Sequence, residues 1–271
     1  MRRINNGIQY YGLPGTTEEC KEAVIRLLQN NKKILKANIL SYKNRHCFLF
    51  FVDAGDPIII KSGFTSGYLG TGPNAFSYIL QLLDIYNVEI EEYKIKKTLL
   101  NRIDNSLMLA TDLEELEKSN PVIPTRWYDY IHERDENLME KGKLWKEFHP
   151  IIPFAIIDAR IADLAINFWD NPDEKLLTGY RRLEDIVRNR TGLDEHSTKL
   201  FAVAFKEALE WKKMNAAEQN GRIQLFYSIY TMYRNPRAHK ELDKYDNNHL
   251  LSEFLLLNHL YKLEDEAVDR T

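Results

Sequence analysis

The chain has 271 residues and a mass of 31.9 kDa, a length that fits one large domain or two ordinary ones at roughly 100–200 residues each. Hydrophobic residues make up 44% and charged residues 28%, a globular balance that excludes wholesale disorder. With 37 basic and 40 acidic residues the formal net charge is -3, which excludes a binder that coats nucleic acid by bulk positive charge and makes any such contact local.

In chain order, the opening MRRINNGIQYYG has basic residues but no apolar core segment, so it is not expected to be a secretory signal. Residues 16–33 predict a helix: Thr16 or Thr17 can cap it, acidic residues fill its first turn and lysines close it. Residues 34–42 and 46–52 predict strands, the second as the apolar run HCFLFFV. Cys20 and Cys47 are too few for a disulfide framework or zinc cluster and are expected as small buried hydrophobes in a cytosolic protein. A turn follows at 53–57, and Ile58–Ile60 opens another strand. The glycine-rich stretch KSGFTSGYLGTGPNAF leads into a helix near 74–86, and VEIEEYKI at 88–95 alternates like a half-exposed strand. On that strand Glu89, Glu91 and Glu92 are expected to form a polar edge.

Residues 119–150 predict a connector, with prolines in SNPVIPTRW, a highly charged run after it, and a helix over 126–147. From Pro150 the pattern is helical. IIPFAIIDARIADLAINFWD predicts a first long helix with Pro153 near its first turn. Further helices are expected at 174–190, 195–212, 217–233 and 246–266. Trp127, Trp145, Trp169 and Trp211 are expected as core or interface anchors. No apolar run approaches the roughly 18–20 residues of a membrane-spanning helix.

The most specific chemical feature is Tyr233-Arg234-Asn235-Pro236-Arg237-Ala238-His239, where Pro236 is expected to stop or kink the helix. A kink there would bring the Arg234 and His239 side chains to one pocket. That pair suits RNA cleavage by the neighbouring 2′-hydroxyl. Histidine titrates near neutral pH and can take the hydroxyl proton, and arginine holds phosphate with a bidentate fork. Asn235 can orient the phosphate or the histidine.

These residues resemble the signature of the HEPN superfamily: an arginine, four to six residues, then a histidine, often with a polar residue after the arginine. The stretch from Tyr180 to His239, through YRRLEDIVRNRTGL, LFAVAFKEAL and QNGRIQLFYSIYTMYRNPRAH, looks like the Ymh-type family within it, over roughly residues 150–266. The resemblance implies an all-α bundle acting as a metal-independent endoribonuclease, a homodimer whose two Arg/His sets meet in one cleft. Such domains are typical of toxins and antiviral defence. It also implies an acidic supporter on an earlier helix, for which Glu184 is the candidate, with an ion pair to Arg181 or Arg188 as the plainer role. Tyr233 and Arg237 flank the motif, and Arg237 is expected to touch RNA phosphate. Glu241 stands where one HEPN subgroup carries a tyrosine, which argues against that subgroup.

Gly67, Tyr68, Gly70, Thr71 and Gly72 form a candidate ligand-binding loop, since glycine-rich turns into helices can offer backbone N–H groups to phosphate. The spacing matches neither a P-loop nor a dinucleotide fingerprint. The alternative is a tight structural loop. His249 and His259 lie ten apart, without metal-ligand spacing, and His46, His132 and His149 have no partner pattern. No metal or cofactor is expected.

The expected fold class is therefore α+β overall. An N-terminal α/β sensor or ligand-binding domain spans 1–120, a helical connector 121–149, and an all-α HEPN bundle 150–271. The expected function is a cytoplasmic HEPN endoribonuclease acting as toxin or antiviral effector. Its expected partners are RNA, a second copy of itself, and an activator, phage component or antitoxin, with no membrane. The alternative is a non-catalytic HEPN module for dimerisation or nucleotide binding in a sensor or adaptor.

Overall fold

The computed structural model describes residues 7–131, 143–239 and 246–270, without the side chains of Lys143, Ala238 and His239. The chain is α+β. It divides into two compact units, Met1–His149 and Pro150–Thr271.

The first unit runs β1 (Gln9–Tyr11), α1 (Thr17–Gln29), β2 (Ile34–Tyr42), β3 (Arg45–Val52), β4 (Ile58–Thr65), α2 (Thr71–Ile85), β5 (Glu89–Lys94), α3 (Lys97–Asp104) and α4 (Ala110–Lys118). The strands form one five-stranded sheet in the order β1-β4-β3-β2-β5. β2, β3 and β4 pair antiparallel, while β1 joins β4 and β5 joins β2 in parallel. Phe48, Phe50, Ile58 and Ile60 face the core containing α1 and α2, and Cys47, Leu49 and Ile59 face the core containing α3 and α4. Burial on both faces is why β3 and the start of β4 read as unbroken apolar runs rather than alternating ones. Both cysteines are buried.

Several local expectations change. Thr16 makes no side-chain cap on α1; Thr17 instead donates its hydroxyl to the Gly63 carbonyl at 2.9 Å. Within the connector, the described parts of the helix expected over 126–147 are 3-10 turns at Trp127–Tyr130 and Lys143–Glu147, and residues 132–142 lie outside the described residues. Leu144 packs into the core of the first unit, and Tyr78 donates to its carbonyl at 2.6 Å. Glu92 is no polar edge. It is buried.

The second unit runs α5 (Ala162–Ile166), α6 (Pro172–Thr191), α7 (Ser197–Val203), β6 (Leu209–Glu210), α8 (Ala216–Ile229), α9 (Asn235–His239), α10 (Asn247–Glu266) and β7 (Val268–Asp269). It is helical around one aromatic core that includes Phe168, Tyr180, Phe201, Phe205, Phe226 and Phe254. β6 and β7 add a short antiparallel ladder that an all-α reading omits. The long helix expected after Pro150 is instead 3-10 turns around the short α5. Polar anchors break it. Asn258 accepts from the Asp158 amide at 2.7 Å and donates to the Ile156 carbonyl at 3.0 Å, and Asp158 caps the next turn through the Arg160 amide. Such fixed hydrogen bonds override apolar periodicity. Trp211 is buried, donating to the Leu263 carbonyl at 2.7 Å, whereas Trp145 and Trp169 are exposed. No helix among the described residues is long and apolar enough to cross a membrane.

Candidate functional site

The site is built from α6, the start of α7 and the end of α8. Asn171 caps α6, accepting from the Glu174 amide, and Pro172 occupies its first turn, where a missing N–H costs nothing. The buried face of α6 carries Leu176, Tyr180, Leu183 and Val187, and Glu184 lies on that same face at helical spacing, 3% exposed. A carboxylate buried this far needs compensating charge and hydrogen bonds. It receives the Nε–H of Arg234 at 2.9 Å and the Ser197 amide at 3.4 Å, with the Arg188 guanidinium 3.8 Å away.

Arg234 closes a π-helical turn, Tyr230–Arg234, that continues α8 into α9. Pro236, expected to stop or kink the helix, does not stop it: it is the second residue of α9, which follows the π-turn directly. Pro236 has no N–H to donate, and its ring would meet the carbonyl of Met232 in a regular α-turn. The π-turn relieves both demands, and π-turns recur at functional sites. Tyr230 anchors the turn by donating to the Tyr180 carbonyl at 2.8 Å.

Asn235 accepts from the Ser197 hydroxyl at 2.9 Å through Oδ1. Ser197 therefore ties Glu184 and Asn235 together, and it does so with φ of 52°, a left-handed conformation unusual for a non-glycine residue. Arg188 also contacts His196 Nδ1 at 2.7 Å. The structure thus joins Glu184, Arg234 and Asn235, sets Arg188 beside Glu184 as the i,i+4 spacing allowed, and adds His196 and Ser197, which no spacing rule singles out. His239 ends α9, but its side chain and Glu241 lie outside the described residues.

The flanking residues behave differently. Tyr233 is half-buried with its ring 6.1 Å from that of His249. Arg237 turns inward. Its side chain is 3% exposed, and it holds Glu253 bidentately at 2.8 and 2.5 Å and pairs with Asp173. A buried guanidinium held by the buried carboxylate of Glu253 and the exposed one of Asp173 is not presented to RNA phosphate, so that expectation gives way to an anchoring role.

In the first unit the candidate loop splits. Gly67, with φ of 84°, and Tyr68 line a cavity of about 450 Å³ together with Ser66, Pro73, Phe76 and Tyr130. Thr71 opens on a different, smaller cavity beside Glu18 and Lys21. Gly70 and Gly72 lie beneath Tyr68, whose hydroxyl is 2.8 Å from Thr65 Oγ1. Among the described residues no three or more His, Cys, Asp or Glu side chains are grouped to share a metal ion.

Comparison with known proteins adds the following. Residues 157–263, a span that includes every residue of the Glu184–Arg234 cluster, match the Hypoth_Ymh family, described as a protein of unknown function. No curated protein matches. Among solved structures, a chain of respiratory complex I from Thermus thermophilus aligns at 16% identity with a TM-score of 0.37, covering 45% of this chain and 99% of that one.

Proposed function

We propose that the Pro150–Thr271 unit is a metal-independent endoribonuclease of the HEPN type, acting as a homodimer in the cytoplasm as a toxin or antiviral effector. The observation that carries this reading is the tether on Arg234. Buried Glu184 takes the guanidinium through Nε at 2.9 Å, which fixes its plane as a phosphate clamp requires. In this reading His239 removes the proton from a ribose 2′-hydroxyl. The 2′-oxygen bonds to phosphorus, the bond to the 5′-oxygen breaks, and that oxygen takes up a proton. Arg234 offsets the charge that develops on the phosphoryl oxygens, and Asn235, held by Ser197, orients the pair. The Met1–His149 unit senses an activator, phage component or antitoxin, or positions RNA.

The same ion pair favours a second reading, in which Arg234 is a structural lock in a non-catalytic dimerisation or nucleotide-binding module. Incubating the full chain with mixed RNA in EDTA separates the two. Cleavage that survives EDTA and disappears in His239→Ala and Arg234→Ala supports the nuclease. A folded wild type that leaves RNA intact across a concentration series supports the module.

A further inference from the structure

A second set of reactive groups lies in the Met1–His149 unit, independent of the proposed ribonuclease. Strand alternation turns Ser41 of β2, His46 of β3 and Glu92 of β5 to one sheet face. Ser41 stands opposite His46 in the antiparallel ladder, and Glu92 stands beside Ile39 in the parallel one. His46 is fully buried and stacks on Phe76 with ring centres 4.4 Å apart. Its Nδ1 lies 2.8 Å from Ser41 Oγ and its Nε2 2.7 Å from Ser66 Oγ. Glu92, on the same face, accepts from Tyr130 at 2.9 Å and from Arg126 Nε at 3.1 Å.

Burial pushes the Glu92 carboxyl upward, but the hydrogen bonds from Arg126 and Tyr130 outweigh it and hold the group below its ordinary range. In the tautomer with the proton on Nδ1, His46 donates to Ser41 Oγ, and the bare Nε2 accepts from the Ser66 hydroxyl. Burial holds the imidazole down to about 4, so the ring is neutral at pH 7.

Ser66 is the first residue past β4 and lines the cavity of about 450 Å³. The wall of that cavity offers aromatic and apolar surface, with Asp129 but no lysine or arginine among the described residues. That lining disfavours an anionic substrate. We propose that Ser66 is the nucleophile of an acyl-transfer site, with His46 as its general base and Ser41 as its positioning residue, acting on an uncharged carboxylic ester with an apolar acyl group. Ser66 Oγ bonds to the carbonyl carbon as its proton passes to His46 Nε2. The bond to the leaving oxygen breaks and that oxygen takes the proton from His46. Water then attacks the acyl-serine, giving its proton to Nε2, and Ser66 recovers it as the acid leaves.

A fluorophosphonate probe tests this on the full chain, because Ser66 Oγ would replace fluoride on phosphorus. Mass spectrometry is expected to find the adduct on the Ser66 peptide of the wild type and none in Ser66→Ala. Ser41→Ala is expected to slow labelling by about tenfold or more, and Ser41→Thr, which keeps the hydroxyl, to restore most of the rate. Hydrolysis of p-nitrophenyl butyrate is expected to fall to background in Ser66→Ala. A wild type with a cooperative thermal melt that gives no adduct at Ser66 overturns the proposal, as does a folded Ser41→Ala labelled at the wild-type rate.

Discussion

Arg234 donates from Nε to Oε1 of Glu184 at 2.9 Å, and the accepting side chain is 3% exposed against 16% for the arginine. The pair joins α6 to the π-turn that ends α8, so it carries fold and site together. Removing one partner of a buried pair costs roughly 3–5 kcal/mol, because the other charge is left uncompensated. Arg234 retains some access to water, which places Glu184→Ala near the lower end, at about 3 kcal/mol. Glu184→Gln keeps an acceptor for Nε–H and is expected to lose less. Urea denaturation of the three proteins measures both. A midpoint for Glu184→Ala equal to the wild type would remove the pair from the stability of this unit.

Arg237 and Glu253 give the opposite lesson about a motif residue. Both side chains are almost fully buried, and Arg237 holds Glu253 through Nε and Nη2 while its Nη1 pairs with Asp173. Arg237→Ala is expected to destabilise the unit by about 3 kcal/mol or more by orphaning Glu253. Arg237→Met combined with Glu253→Met is expected to recover most of that loss, since a well-packed apolar pair removes both desolvation costs. If Arg237 instead served RNA, the double variant would regain stability and lose RNA affinity. Filter binding at fixed salt is expected to show unchanged affinity.

Stability of the first unit is expected to fall with acid. His46 is buried as the neutral ring, with its pKa lowered from 6.5 to about 4. Between those values the unfolded chain binds the proton and the folded chain does not, so stability rises with pH across that window. Integrated from pH 6.5 down to 4, the loss is about 3 kcal/mol. Glu92 acts in the same sense but lower: its depressed pKa contributes stability above the ordinary carboxylate range that disappears as pH falls through the folded value. Denaturant melts at several pH values between 4 and 7 should give a steep slope in the wild type and a shallow one in His46→Gln. Equal slopes would mean that His46 protonates freely in the native state.

The readable parts of this chain were those where one residue pattern has one structural consequence. β3 and β4 show as apolar runs because both sheet faces are covered, and α6 and α10 carry apolar stripes between good caps. Glu184 comes in through the resemblance to HEPN domains, as the acidic supporter on an earlier helix. The misread parts depend on partners distant in sequence. Glu92 looks like a polar strand position, and nothing local reveals that Arg126 and Tyr130, over thirty residues on, cover it. His46 looks solitary until β2 and the loop after β4 bring Ser41 and Ser66 to its two nitrogens. His196 and Ser197 sit at the start of α7, and their approach to Arg188 and Glu184 is a product of tertiary packing. Pro236 does not end the helical run, because a π-turn rather than an α-turn precedes it.

The glycines after β4 illustrate how a sequence motif can be spent on packing. A Cβ at Gly72 would lie 2.1 Å from Thr65 Oγ1 and 3.3 Å from the Tyr68 hydroxyl. Gly72→Ala must therefore displace the Thr65–Tyr68 hydrogen bond, an overpacking that costs typically 1–3 kcal/mol. Thr65→Ala removes the atom in the way, at the cost of one partly exposed hydrogen bond, about 1 kcal/mol. The two changes are then not additive: Gly72→Ala with Thr65→Ala is expected to be more stable than Gly72→Ala alone. A double-mutant cycle by thermal or urea melting reads this coupling. Strict additivity would mean that the loop relaxes around the new methyl by another route, and that Gly72 answers to something other than Thr65. A coupling of the expected sign instead assigns this glycine to the seat of Tyr68, and makes Tyr68 the way the loop reaches the cavity beside Ser66.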